Sequence, residues 1–163
     1  MILLGVPVLA GAFLLVEAGL EHIRAPEMLA RAAGTGLLAA RAIATIEFVV
    51  GVPSVAAVVF GTAELRWALA AQTLMYAAFA AHLSWRRYHR DESDCGCNRM
   101  GTQVGPGGIA RAVVLAAATL AATTLYPAAA LPGGGVAIAL AACAAVMAVL
   151  LYTLPAAVDG HAA

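Results

Sequence analysis

The sequence predicts an all-α fold, a polytopic integral membrane helical bundle. Two observations carry the prediction. Of 163 residues, 63% are hydrophobic and 11% charged, against about half and about a quarter in soluble domains. The apolar residues also gather in five runs, each able to span about 30 Å of hydrocarbon at about 1.5 Å per residue. Four core transmembrane helices and a fifth, C-terminal one then make a single domain over 1–154, followed by a short polar tail at 155–163.

The first run, roughly 2–20, is interrupted by Glu17. Met1-Ile2-Leu3-Leu4 enters it with no basic n-region, so it reads as a retained helix rather than a cleaved signal. The second, roughly 42–60, carries Glu47 near its start and a Gly51-Val52-Pro53 kink signal. The third, roughly 67–85, holds Gln72 and His82. The fourth, roughly 109–126, has Arg111 in its first turn. The fifth, roughly 136–154, follows a Pro132-Gly133-Gly134-Gly135 turn and stops at Pro155. Between the first two runs, Pro26 stands at a suitable first helical position before the mixed charges Glu27 and Arg31, which predicts a short interfacial helix.

All nine basic residues are arginine and the formal net charge is zero, so no basic face for nucleic acid is expected. The alanine and arginine bias reflects genome composition as much as function, and stripes of small residues are given little weight as packing motifs. If five spans alternate, Arg24, Arg31, Arg41, Arg86, Arg87, Arg90, Arg99 and Arg111 fall on one side of the bilayer and Arg66 on the other. The positive-inside rule places the arginine-rich side in the cytoplasm. Chemistry that hands on disulfides belongs instead on the outer face, where disulfides persist. The two arguments oppose each other.

The chemistry concentrates in the loop 86–108, on the arginine-rich side. There Asp91-Glu92-Ser93-Asp94-Cys95-Gly96-Cys97-Asn98-Arg99 sets two thiols one residue apart. Such a pair can close a strained, labile disulfide, pass it to another protein, or bind a soft metal ion. Gly96 suits the tight ring because it reaches backbone angles that other residues resist. Arg90 and Arg99 favour a thiolate, while Asp91, Glu92 and Asp94 oppose it. Gly101, Gly105, Gly107 and Gly108 lead back to the fourth helix. The plainer alternative is a bridge that stiffens the loop. Cys143, flanked by alanines, is expected as a small buried packing residue.

Glu17 and Glu47 are carboxylates inside apolar runs, each costing a few kcal/mol unless neutral, paired or near the interface. Glu17 and Glu21 share a helix face one turn apart. On alternating spans the Glu17–Glu21 pair, Glu47, His82 and Arg111 come to similar depth beneath the cysteines, and of these Glu47, His82 and Arg111 bear on the thiols. They are therefore the candidates for tuning thiol pKa values or moving protons. A polar cluster that fixes helix packing is the competing account.

The order of features resembles the methylamine-utilisation protein MauE family, within the wider DoxX-like group of small membrane proteins. The resemblance runs from the first span through the fourth. It rests on His22-Ile23-Arg24-Ala25-Pro26 and Ile46-Glu47-Phe48-Val49-Val50-Gly51, and most of all on Asp94-Cys95-Gly96-Cys97 with Arg111 in the next helix. This chain departs from the family pattern at Asn98-Arg99, where Phe-Gly is usual, and at Ala112, where asparagine is common. The resemblance implies a thioredoxin-like partner in disulfide formation or electron transfer for extracytoplasmic proteins, with Cys95 and Cys97 cycling between dithiol and disulfide. It also favours an extracytoplasmic loop, against the arginine count. Membrane quinone enters by analogy with other disulfide-generating membrane proteins, with no quinone motif in the sequence.

Two rival functions stand beside a thiol–disulfide oxidoreductase component. One is a metal carrier or permease component in which Cys95 and Cys97 hold a soft ion and Glu17 or Glu47 lines a path. The other is an assembly subunit whose cysteines are passive.

Overall fold

The computed structural model describes residues 2–60, 65–89, 105–125 and 135–159, with side chains placed at 5–60, 65–89, 105–125 and 138–154. Six helices occupy them: α1 (Ile2–Arg24), α2 (Pro26–Ala33), α3 (Leu37–Phe60), α4 (Leu65–Tyr88), α5 (Pro106–Leu125) and α6 (Gly135–Asp159). The helices extend past the apolar windows read from the sequence, α3 beginning at Leu37 rather than 42. Hydropathy marks the hydrocarbon-compatible stretch, whereas the backbone stays helical until something stops it.

What stops α1 is Pro26. The residue before a proline is driven out of the α region, and Ala25 accordingly takes φ −137°. Pro26 then starts α2, where its missing N–H removes nothing from the ladder. Gly34, with φ 63°, closes α2 in a left-handed cap. Its N–H donates to the Arg31 carbonyl at 3.3 Å, and the Thr35 N–H donates to that of Ala30 at 2.9 Å. Pro26, Leu29 and Ala32 make the buried face of this short helix, while Glu27, Met28 and Arg31 are exposed. That is the amphipathic interfacial element expected from the sequence.

α1 is the axis of the bundle. It packs most extensively on α3, then on α6 and α5, while α4 lies chiefly against α5. Leu9, Leu14 and Leu15 of α1 meet Val58, Leu69, Tyr76, Leu115, Ala144 and Ala148 in one core. α3 continues through Pro53 without a break. The Ser54 hydroxyl turns back to the Val50 carbonyl at 2.7 Å.

Among the described residues, three helical stretches are long and apolar enough to cross a membrane, Gly5–Arg24, Leu37–Phe60 and Pro106–Leu125, with a shorter apolar stretch at Ile138–Leu154. Helix α4 is as long as α3 but less apolar. Its polar side chains turn inward: Gln72 Nε2 donates to the Val8 carbonyl at 2.9 Å, and Thr73 donates to Thr119 Oγ1 at 2.9 Å. Trp67 and Trp85 stand exposed near its two ends, 18 residues and about 27 Å apart. This is the aromatic spacing of an interface-anchored helix. A multi-pass membrane bundle follows.

Two expectations fail. Helix α6 runs through Pro155 to Asp159 rather than stopping at the proline. Cys143 is exposed rather than buried. The inward stripe of α6 is Leu140, Ala144 and Ala148 at successive turns, and residue 143 falls off that stripe.

Candidate functional site

Two glycines let α1 and α3 approach closely enough to build the site. A Cβ on Gly19 would sit 2.7 Å from the backbone nitrogen of Phe48, and one on Gly51 would sit 2.8 Å from that of Val16. The pairings 19 with 48 and 16 with 51 define an antiparallel register, backbone against backbone, of the kind small residues permit. Continued toward the end of α1, this register brings His22 onto Glu47.

His22 Nδ1 lies 2.7 Å from Glu47 Oε2, with Glu47 fully buried and His22 6% exposed. With the carboxylate ionised, the ring N–H is the donor. Glu47 Oε1 is buried with no hydrogen-bond partner among the described residues, a condition that costs about 1–3 kcal/mol. The pair therefore keeps an open acceptor position in the bundle interior, able to take a proton or a further donor.

His22 also forms part of a cavity of about 50 Å³ lined by residues of α1, α4, α5 and α6. Its wall includes Tyr76, Phe79, Leu83, Arg111 and Tyr152. That volume holds about three water molecules. The Tyr76 hydroxyl donates to the Gly11 carbonyl at 2.7 Å. Arg111 Nη1 donates to the Leu151 carbonyl of α6 at 3.1 Å. Tyr152 reaches toward Glu21 Oε2 at 3.5 Å. Imidazole, phenol and guanidinium groups thus line one small chamber, with the Glu47 carboxylate bonded to the imidazole behind its wall, a setting suited to holding and moving protons.

The family is decided at this point. The chain matches the family model of the methylamine utilisation protein MauE over residues 1–127. The chain belongs to the MauE family. Comparison with curated proteins and with solved structures gives no match.

The MauE match takes in α1 to α5 and the cysteine segment, while α6 lies beyond it and packs on α1 and α5. Cys95 and Cys97 lie outside the described residues. Of the other residues singled out from the sequence, Arg111 lines the chamber with Tyr76, and Glu47 meets it through His22. His82 does not join them. It lines a second, mostly apolar cavity between α2, α3 and α4, which has Phe79 in common with the first. Glu17 is exposed and Glu21 half-buried, so the shared face of that pair does not lead into the interior. Among the described residues no three His, Cys, Asp or Glu side chains converge as a metal site.

His22 is the residue that sequence reasoning missed. Its signal was present in the small residues. Gly19 and His22 lie three apart on α1, Glu47 and Gly51 four apart on α3, and each glycine marks the face on which the polar residue is buried. An alanine-rich composition hid that signal among many other small residues.

Proposed function

We propose that this MauE-family protein is a membrane thiol–disulfide redox protein. Its Cys95-Gly96-Cys97 pair exchanges a disulfide with a thioredoxin-like partner in the maturation of extracytoplasmic proteins, with the cysteine segment on the extracytoplasmic side. The observation that carries this reading is the fully buried Glu47 with its open oxygen, held by His22. It lies in a bundle whose α4 and α5 are joined by the segment bearing the two thiols.

In the exchange, one thiolate of the pair attacks a sulfur of the partner's disulfide, forming a mixed disulfide and releasing the partner's other sulfur as thiolate. The second cysteine then attacks its neighbour's sulfur in that mixed bond. Cys95 and Cys97 become a disulfide, and the partner leaves as a dithiol. The two protons lost by the pair are taken up by the partner's sulfurs, so atoms and electrons balance. The reverse sequence uses the same steps. Glu47, His22 and Arg111 act on this exchange by holding charge and protons in the bundle. They do not form bonds to sulfur.

The test compares the redox state of Cys95 and Cys97 in cells with and without a thioredoxin-like partner. A dithiol-to-disulfide ratio that shifts with the partner supports the exchange. A static bridge insensitive to partner and oxidant makes the protein an assembly subunit. Permanently free thiols that bind stoichiometric metal make it a carrier.

A further inference from the structure

Tyr152 of α6 stands between two environments. It lines the polar chamber with His22 and Arg111, and its hydroxyl lies 3.5 Å from Glu21 Oε2. That distance is the long edge of a hydrogen bond, and a small turn of either side chain shortens it. Glu21 is not itself part of the chamber wall. It is half-buried, one turn from the end of α1, with the exposed Arg24 beyond it and the interfacial helix α2 next in the chain. Its carboxylate therefore stands at the boundary between bundle and water, and Tyr152 rather than Glu21 makes the crossing into the interior. Helices α1 and α4 run in the same direction, Val8 against Gln72 and Gly11 against Tyr76. The Glu21 end of α1 is thus the end of the bundle at which the cysteine segment follows α4.

We propose that Glu21 and Tyr152 form the proton entry to the His22–Glu47 pair. The chamber supplies the middle of the route, since water occupies spaces of this size where two or more hydrogen-bonding groups face them. Tyr76 does not serve in place of Tyr152, because its hydroxyl proton is committed to the Gly11 carbonyl. Arg111 sets the form of the transfer. Its fixed positive charge disfavours a free hydronium ion in the chamber, so the proton passes along hydrogen bonds. Glu21 gives a proton to the Tyr152 oxygen as the Tyr152 hydroxyl gives its own to chamber water. The water gives one to the His22 ring, and the ring passes the proton at Nδ1 to Glu47 Oε2. One proton has then moved from Glu21 to Glu47. Tyr152, water and imidazole end with the charge they began with, and no electron moves. Helix α2, also packed on α1, turns Glu27 and Arg31 outward, and His82 lines the other cavity, so none of these lies on the route.

The inference deepens the thiol–disulfide reading and rests on it for its purpose. A proton given up as an attacking thiol ionises is held at the pair, and it returns by the same route when a partner's sulfur takes it. The route itself is measurable without thiols. Tyr152 lies beyond the residues that the MauE model matches, so the family match does not supply it.

The test is exchange of the His22 ring N–H with deuterated water, followed by NMR on the purified full-length protein in lipid nanodiscs with isotope-labelled histidine. His22→Asn identifies the signal by its disappearance. Tyr152→Phe and Glu21→Gln should each slow the exchange by about tenfold or more. Glu17→Gln, one turn from Glu21 and exposed, should exchange like the parent. The sign separates a relay from a packing role, because a loosened chamber admits water and speeds the exchange. Unchanged or faster exchange in either variant overturns the entry, as does equal slowing by Glu17→Gln. Should Tyr152→Phe lose helix content, Glu21→Gln alone decides. The series is measured in the native chain and in a Cys95→Ser, Cys97→Ser background. Slowed exchange without any partner-dependent shift of the thiols leaves the entry standing and removes the thiol reading, whereas a partner-dependent shift with unaltered exchange does the reverse.

Discussion

His22 and Glu47, 25 residues apart in sequence, meet at 2.7 Å inside the bundle and tie the end of α1 to the interior of α3. Neither partner reaches water to any useful extent, and the second carboxylate oxygen has no hydrogen bond among the described residues. Removing one member of a buried pair strands the other, which costs about 3–5 kcal/mol, whereas replacing both with apolar groups is often close to neutral. His22→Leu should therefore lower stability in detergent by about that amount. Combining it with Glu47→Leu should recover much of the loss. A double-mutant cycle by denaturant unfolding measures the coupling. Simple additivity of the two single changes would show that the contact contributes nothing specific.

Gly51 sets how closely α1 and α3 approach. An added Cβ there meets the Val16 backbone nitrogen at 2.8 Å and a Val16 methyl at the same distance. A backbone atom cannot swing aside as a side-chain tip can, so Gly51→Ala forces the helices apart at a cost of about 1–3 kcal/mol. The penalty should exceed that of Gly36→Ala, where a Cβ meets nothing within 4 Å. Thermal unfolding of the two variants under one condition gives the comparison. Equal midpoints would mean that the interface is loose enough to absorb the methyl.

The bundle was legible in the sequence because five apolar runs of sufficient length leave little choice of architecture. Helix α2 was legible because Pro26 both ends the preceding helix and starts the next. Glu47 stood out because a carboxylate in an apolar run needs a partner. The partner itself was not legible. A histidine near the end of a helix is unremarkable until the register of α1 against α3 is known, and that register is set by backbone approach at Gly19 and Gly51, which hydropathy does not encode. The same gap explains His82. Depth along the chain placed it beside Arg111, but depth says nothing about the face of a helix, and Phe79 lies on the wall of both their cavities. Cys143 went astray for a similar reason, since a small residue among alanines satisfies either face of α6.

Glu47→Gln keeps the shape of the side chain and a hydrogen-bonding carbonyl for His22, while removing the charge. Membrane insertion should be unaffected, because an amide in this position is cheaper to bury than a carboxylate. The rate of disulfide exchange with a thioredoxin-like protein should change if the pair manages protons for the thiols, and its pH profile should change with it. Arg111→Gln, which alters the same chamber from α5, should move that profile in the opposite direction, because it deletes a positive rather than a negative charge. Stopped-flow exchange on purified protein across pH reads both effects. An unchanged profile in both variants confines the cluster to helix packing.

The orientation of the cysteine segment sets two physical arguments against each other, and labelling decides between them. Arginine placement favours a cytoplasmic segment, since eight of the nine arginines fall on that side if the helices alternate. The redox argument favours the outer face, because a labile disulfide in the cytoplasm would be reduced by the thiol pool before it reached a client. Arg86 weakens the arginine count from within. It is fully buried and its guanidinium donates to the Ala32 carbonyl at the end of α2, so its position is accounted for by helix packing without reference to charge bias. Arg111 is likewise committed to the Leu151 carbonyl. With these two discounted, six arginines still stand against one, so the expectation of the outer face rests on the redox argument alone. Intact cells, reduced and treated with a membrane-impermeant maleimide, should label Cys95 and Cys97 in a Cys143→Ala background. A Cys95→Ser, Cys97→Ser control in the same background should stay unlabelled. Labelling that appears only after lysis would place the segment in the cytoplasm and remove the extracytoplasmic maturation role with it.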